Sequence, residues 1–175
     1  MKDEKYHLIL RIVHWLMAAT IVGMLVSGFY MKSLPIDNPI KFSIYGIHKA
    51  TGVSIFILVI LRIILRLFLY VPPLPQNYSQ VTVLTTKTVH FALYVLMMLI
   101  PLSGYIMSSA SGRSIKYFFN FNIPLIIAKN KMVAELSNQL HFISACLLIG
   151  FIALHLLGTI KHLIIDKQNI LRRIV

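Results

Sequence analysis

Four apolar segments constrain the fold of this chain more than any other feature, because each is long enough to cross a lipid bilayer. They cover approximately residues 10–31, 46–69, 83–108 and 136–162. A hydrocarbon core of about 30 Å requires roughly 20 apolar residues in helical conformation, and such a helix satisfies its backbone groups internally. The sequence therefore predicts an all-α fold, an integral membrane four-helix bundle that forms a single membrane domain over residues 1–175.

The overall composition agrees with a protein that is surrounded by lipid. Hydrophobic residues make up 58% of the chain and charged residues 13%, against about 45–50% and 25% in soluble domains. A net charge of +12 would first suggest nucleic-acid binding. The basic residues, however, lie at the ends of the apolar segments, where they contact anionic lipid head groups. We predict membrane lipids, and no nucleic acid, as partners.

Prolines and one long loop separate the segments. Pro35 and Pro39 are expected to break the chain after the first segment, and the run 71–75 to end the second. The first segment is too long for the apolar part of a secretory signal peptide, so we expect it to be retained. The connection 109–135 is too apolar for a solvated loop and too broken to span. It predicts a lid across the outer helix ends.

The basic residues on the two sides of the predicted bundle give its orientation. With the N-terminus inside, ten lie on the inner side: Lys2, Lys5, Arg11, Arg62, Arg66, Lys87, Lys161, Lys167, Arg172 and Arg173. Seven lie on the outer side: Lys32, Lys41, Lys49, Arg113, Lys116, Lys129 and Lys131. Cytoplasmic loops carry an excess of positive charge. The narrow difference favours both termini on the cytoplasmic side.

Five histidines lie within or at the ends of the apolar segments: His14, His48, His90, His141 and His155. Ionisable residues inside a membrane are costly and mark functional sites by default. His141 and His155 are 14 residues apart, so at about 100° per residue they lie on nearly the same helix face. Their separation along the axis is about 21 Å. That interval suits two stacked haems and is too long for one shared metal ion.

The helix topology supplies the second ligand of each iron. His14 lies at the depth of His155, and we predict that these two bind the iron of an inner haem b. His48 and His141 lie near the outer surface and are predicted to bind an outer haem b. The chain has one cysteine, Cys146, expected to be buried, and no motif for covalent haem attachment. Irons with two imidazole ligands have no open position, so they transfer electrons and do not bind oxygen.

Four other side chains near the inner surface have more than one plausible role. His90 could replace His14 as a ligand, hydrogen-bond a haem propionate or contact a quinone. His162 could exchange protons and hydrogen-bond a quinone carbonyl, or extend to the interface as an amphipathic side chain. Arg62 and Arg66 could pair with propionates or anchor the helix in the head groups, and Arg66 suits the anchor better. No residue is assigned a catalytic role.

Seven short segments match a known family of membrane proteins. They are RIVHW at 11–15, IHKATG at 47–52, RIILR at 62–66, VHFALY at 89–94, LH at 140–141 and 154–155, and NILRR at 169–173. With these, essentially the whole chain resembles the bacterial cytochrome b-561 family of small di-haem proteins of the cell inner membrane. The resemblance implies that the axial ligands are His14, His48, His141 and His155.

The resemblance also implies a function. It implies quinone binding near the inner haem and, as in the best-known stand-alone members, oxidation of superoxide at the outer face with electrons delivered to ubiquinone. Such an enzyme is a superoxide:ubiquinone oxidoreductase. The seven outer basic residues face only Asp37 and Glu135, and this charge would attract a small anion, although a basic surface with no substrate role stays equally open.

Two alternative functions remain at this stage. One is a haem-bearing anchor subunit of a hydrogenase or formate dehydrogenase, which would need a soluble protein partner. The other is a non-redox metal transporter that uses its histidines to bind the metal ion.

Overall fold

The computed structural model describes residues 5–75, 78–118 and 121–175, so Lys2 and residues 119–120 of the predicted lid lie outside the described residues. The described part forms four long helices: α1 (Leu8–Ser33), α2 (Pro39–Phe68), α3 (Gln80–Ala110) and α4 (Lys131–Ile164). Two short antiparallel strands, β1 (Ile115–Lys116) and β2 (Asn122–Ile123), lie between α3 and α4. All four helices are long and apolar enough to cross a membrane. The predicted all-α membrane bundle is confirmed.

The start of α2 differs most from the prediction. Pro39 was expected to break the chain, with the helix beginning near residue 46, but Pro39 is the first residue of α2. Proline suits this position because the first turn leaves its N–H without an intrahelical partner. The Asn38 side chain accepts a hydrogen bond from the Ile40 amide at 3.0 Å and caps the helix. Asn130 caps α4 in the same way, so the connecting loop covers residues 111–130 instead of 109–135.

The buried core of the bundle is small, because most of each helix faces lipid. Its members are Val13, Met17, Ile21, Ile55, Val59, Leu96 and Leu148. All four helices contribute to this cluster, which lies midway along the bundle and holds the helices together. Cys146 was expected to be buried, but it is exposed. It lies next to Leu147, which is also exposed, on the side of α4 that points away from the core.

The loop 111–130 packs against the ends of α2 and α3. β1 contacts α2, and Ile115 is buried there. Tyr117 and Ser54 share a hydrogen bond of 3.0 Å between their hydroxyl groups. The Tyr105 hydroxyl donates to the Pro124 carbonyl at 2.6 Å. These contacts hold the loop against the bundle on the side that carries His48 and His141.

Ser109 fixes the second half of this loop, and its replacement should release that half. The buried Ser109 hydroxyl oxygen accepts hydrogen bonds from the amides of Ile126 (2.9 Å) and Ile127 (3.0 Å). Ser109→Ala removes the acceptor, and each buried donor left unpaired costs about 1–3 kcal/mol. We expect faster limited proteolysis within residues 121–130. Ser33→Ala is the control, because Ser33 bonds only within its own helix; equal cleavage rates would show that Ser109 does not hold the loop.

Candidate functional site

Four of the predicted histidine ligands form two pairs inside the bundle. The ring centroids of His14 and His155 are 6.5 Å apart, and those of His48 and His141 are 6.4 Å apart. Two imidazoles bonded to opposite sides of one metal ion at about 2 Å have centroids about 6.3 Å apart, since each centroid lies about 1.1 Å behind its bonding nitrogen. Both spacings therefore fit one iron between the two rings.

Hydrogen bonds orient the rings of the outer pair, His48 and His141. The Ser27 hydroxyl donates its proton to the Met24 carbonyl, so its oxygen accepts from His48 Nδ1 at 2.9 Å. His141 Nδ1 donates to the Ile100 carbonyl at 2.8 Å. With the proton of each neutral ring on Nδ1, the lone pair of each Nε2 is free to bind iron.

A cavity of about 650 Å³ lies beside the outer pair, within the range of about 300–1,000 Å³ that is typical of cofactor pockets. Gly28, Gly52 and Gly104 are among its lining residues. A Cβ atom at Gly104 would lie 3.1 Å from the His141 ring, and one at Gly28 would lie 3.4 Å from the His48 ring. The absence of side chains at Gly28 and Gly104 leaves room for both imidazoles. The cavity and ring pair together fit a haem.

At the inner end of the bundle, His90 lies beside the His14–His155 pair. The centroids of His90 and His155 are only 5.2 Å apart, which is shorter than the roughly 6.3 Å that an iron between two imidazoles requires. His90 Nδ1 also hydrogen-bonds to the Thr86 carbonyl at 2.7 Å. The geometry therefore favours His14 as the second ligand and places His90 next to the ligand pair.

Arg62 is held inside the bundle near the inner pair. Its Nε donates to the Tyr94 hydroxyl at 3.1 Å, and a terminal nitrogen donates to the Leu10 carbonyl at 3.0 Å. Its charge is close enough to act electrostatically on His14. Arg66 acts in the same way on His90. Arg62 thus lies close to the inner pair and Arg66 close to His90, and the propionate contact of Arg62 stays a prediction.

The side chain of His162 is buried within the protein. Its Nδ1 donates to the Asp166 carboxylate at 2.6 Å, and its ring stacks on Tyr78 with centroids 4.6 Å apart. Lys161 donates to both Asp166 oxygens. The bonds from Lys161 and then His162 lower the pKa of the Asp166 carboxyl. Burial, followed by the Asp166 charge, raises the pKa of Tyr78.

Sequence reasoning missed Asp166 and Tyr78 as partners of His162. For Asp166 a partial signal was present in the sequence: it follows His162 by four residues, the spacing of neighbours on a helix, although α4 ends at Ile164. Tyr78 precedes α3, and nothing in its sequence context indicates a contact with the end of α4. Contact of His162 with a quinone or a propionate stays a prediction.

Comparison with known proteins decides the family. The chain matches the family described as prokaryotic cytochrome b561 over residues 5–175. The chain belongs to this family. It is a multi-pass protein of the bacterial inner membrane that binds b-type haem and transfers electrons. The predicted family and location are confirmed, and the metal-transporter alternative has no remaining support.

Three relatives show how the similarity is distributed. Cytochrome b561 homolog 2 of Escherichia coli strain K12 is 32% identical over 173 residues, which cover 98% of this chain and 92% of that protein. Cytochrome b561 homolog 1 of the same strain is 25% identical and covers 93% of this chain and 92% of that protein. A Yersinia pestis protein named "Probable superoxide oxidase CybB" is 26% identical over 129 residues, 74% of this chain and 73% of that protein.

Proposed function

We propose that this cytochrome holds two haem b groups and acts as a superoxide:ubiquinone oxidoreductase, with both termini in the cytoplasm. Two superoxide anions would be oxidised to two molecules of oxygen at the outer face. One ubiquinone would take up the two electrons and two protons near the inner face and become ubiquinol. The observation that carries the proposal is the presence of two imidazole pairs, each at an iron-bridging spacing, at two different levels of α4.

The protein contributes binding, orientation and the exclusion of water. Haem b supplies one-electron redox chemistry when it is bound. His48 and His141 present Nε2 because their Nδ1 atoms are hydrogen-bonded. Between His141 and His155 on α4 lies the buried core residue Leu148, packed with Val59 and Leu96. This apolar layer keeps water out of the centre of the bundle.

Two observations support superoxide as the electron donor. The Yersinia pestis relative carries the name of a superoxide oxidase. The proposed outer face is also basic, since Lys32, Lys49 and Arg113 all line the cavity beside the outer pair. A positive surface raises the local concentration and the arrival rate of a small anion. The general function of the family, electron transfer in the membrane, does not depend on superoxide being the donor.

Stopped-flow mixing of the purified holoprotein with superoxide tests the proposal. We expect the sharp α-band of reduced haem b to appear and, with ubiquinone present, one ubiquinol to form for every two superoxide anions consumed. Active superoxide dismutase should abolish the signal, whereas the heat-inactivated enzyme should not. Higher salt should slow haem reduction, because it screens the attraction between superoxide and the basic face.

Two results would point away from this function. Haem that dithionite reduces and superoxide does not would contradict the proposed donor. Co-purification with an iron–sulfur subunit that reduces the haem would instead favour the role of a dehydrogenase anchor subunit.

A further inference from the structure

We infer that Lys49 and Arg113 bind the propionate groups of the outer haem. This inference rests on the proposed outer haem between His48 and His141, and it identifies the side chains that neutralise the two carboxylates of that haem. Neither residue was assigned a cofactor contact by the sequence.

The cavity beside the outer pair carries positive charge that its own lining does not neutralise. Lys32, Lys49 and Arg113 line it, and among the described residues that line it none is an aspartate or glutamate. Lys49 is half-buried, Arg113 is exposed, and the Arg113 charge is close enough to repel that of Lys49. Placing a second cation beside a partly desolvated one costs free energy. An anion between them offsets that cost, so the pair predicts an anionic ligand.

Hydrogen bonds through Ser108 link the Lys49 ammonium group to the backbone of the loop residue Arg113. Lys49 Nζ donates to the hydroxyl oxygen of Ser108 at 2.8 Å. The Ser108 hydroxyl donates in turn to the Arg113 carbonyl at 2.7 Å, and the Arg113 amide donates to the Ser108 carbonyl at 3.0 Å. Ser108 is buried, so it ties α2 and the loop together at the edge of the cavity. An ammonium group has three donors, and Ser108 accepts from only one of them.

The third cation of the cavity has a different partner. Lys32 Nζ lies 3.9 Å from the centroid of the Phe142 ring, where the aromatic face stabilises its charge. Lys49 and Arg113 have each other as charged neighbours, and they are the pair that an anion would stabilise. Haem b has two carboxylates, which form strong charge-assisted hydrogen bonds with lysine and arginine. The two cations thus equal the two propionates in number and are opposite to them in charge.

Lys49→Met in the holoprotein, with Lys32→Met as the matched control, tests the inference. A positive charge near haem favours its reduced form, so we expect K49M to lower the midpoint potential of the outer haem in an optical redox titration. Transfer of the outer haem to apomyoglobin should become roughly tenfold faster or more, as expected for the loss of a charge-assisted hydrogen bond. K32M keeps Lys49 and Arg113, so it should leave the transfer rate of the outer haem at the wild-type value and lower its potential less than K49M does. The inner haem should be unchanged in both variants.

Two further variants keep the test decisive if K49M assembles poorly. Arg113→Met alters only a loop residue and should also lower the outer potential. Lys49→Arg keeps the charge and should retain a potential near that of the wild type. If K49M and Arg113→Met change only the salt dependence of the reaction with superoxide, these cations attract superoxide and do not bind the propionates. The inference would then be wrong. A wild-type protein with one haem per chain would instead contradict the proposed di-haem function.

Discussion

Replacing His141 with alanine should halve the haem content of the purified cytochrome, from two haem b per chain to one. The outer iron would lose one of its two histidine ligands, and His48 would be the only protein ligand left to hold the haem. The His14–His155 pair at the other end of the bundle is about 21 Å away along α4, so it should be unaffected. The pyridine haemochrome assay measures the change against protein concentration. Cys146→Ala is the control, because this lipid-facing side chain of the same helix should not affect haem binding.

Double variants test the pairing itself. If His48 and His141 share one iron, changing both should remove no more haem than changing His141 alone, because the two substitutions disrupt the same site. Changing His14 and His141 together should remove both haems. A double variant of His48 and His141 that contains no haem would contradict the pairing. Unchanged haem content in His141→Ala would contradict the ligand itself.

The histidine pairs could be predicted from the sequence for two physical reasons. A spacing of 14 residues is close to a whole number of helical turns, which places His141 and His155 on one face. Four successive membrane crossings then fix which other histidines reach the same depth. Both arguments depend only on helix geometry and on the membrane as a boundary, and no details of packing are needed.

The orientation of the rings could not be predicted in this way. Ser27 accepts from His48 only because α1 is rotated to place that hydroxyl toward α2, and no sequence period reports such a rotation. The sequence also cannot single out Gly28 and Gly104 among its small residues, because small residues occur wherever membrane helices pack closely. The contact between Lys49 and Ser108 joins residues 59 positions apart, and it depends on the fold of the loop that follows α3.

At the starts of α2 and α4, by contrast, the sequence did contain a local signal for the helix end, but it was interpreted incorrectly. Pro39 has the restricted backbone of a helix breaker and equally that of a first helical residue. The preceding Asn38, which caps α2, favours the second interpretation. The same capping pattern at Asn130 begins α4 five residues before the predicted start.

The inner haem should depend on His14 and not on His90. His14→Ala is expected to leave one haem per chain, whereas His90→Ala is expected to retain two, because only the His14–His155 spacing of 6.5 Å leaves room for an iron between the rings. Haem content and the low-spin signal in electron paramagnetic resonance measure both outcomes. His90→Ala also serves as the matched control, since it removes an imidazole from the same cluster.

Imidazole added to the buffer distinguishes a residue that binds the haem iron from one that only positions the haem. It can occupy the space left by the His14 ring and bind the iron, so it should restore the second haem of His14→Ala. If His90→Ala also loses a haem and imidazole restores only the His14 variant, His90 positions the haem without binding its iron. The opposite result has three parts: His90→Ala loses the inner haem, imidazole restores that haem, and His14→Ala keeps two haems. It would show that the second ligand is His90 on α3. The 5.2 Å contact of His90 with His155 would then have to widen by about 1 Å to admit an iron.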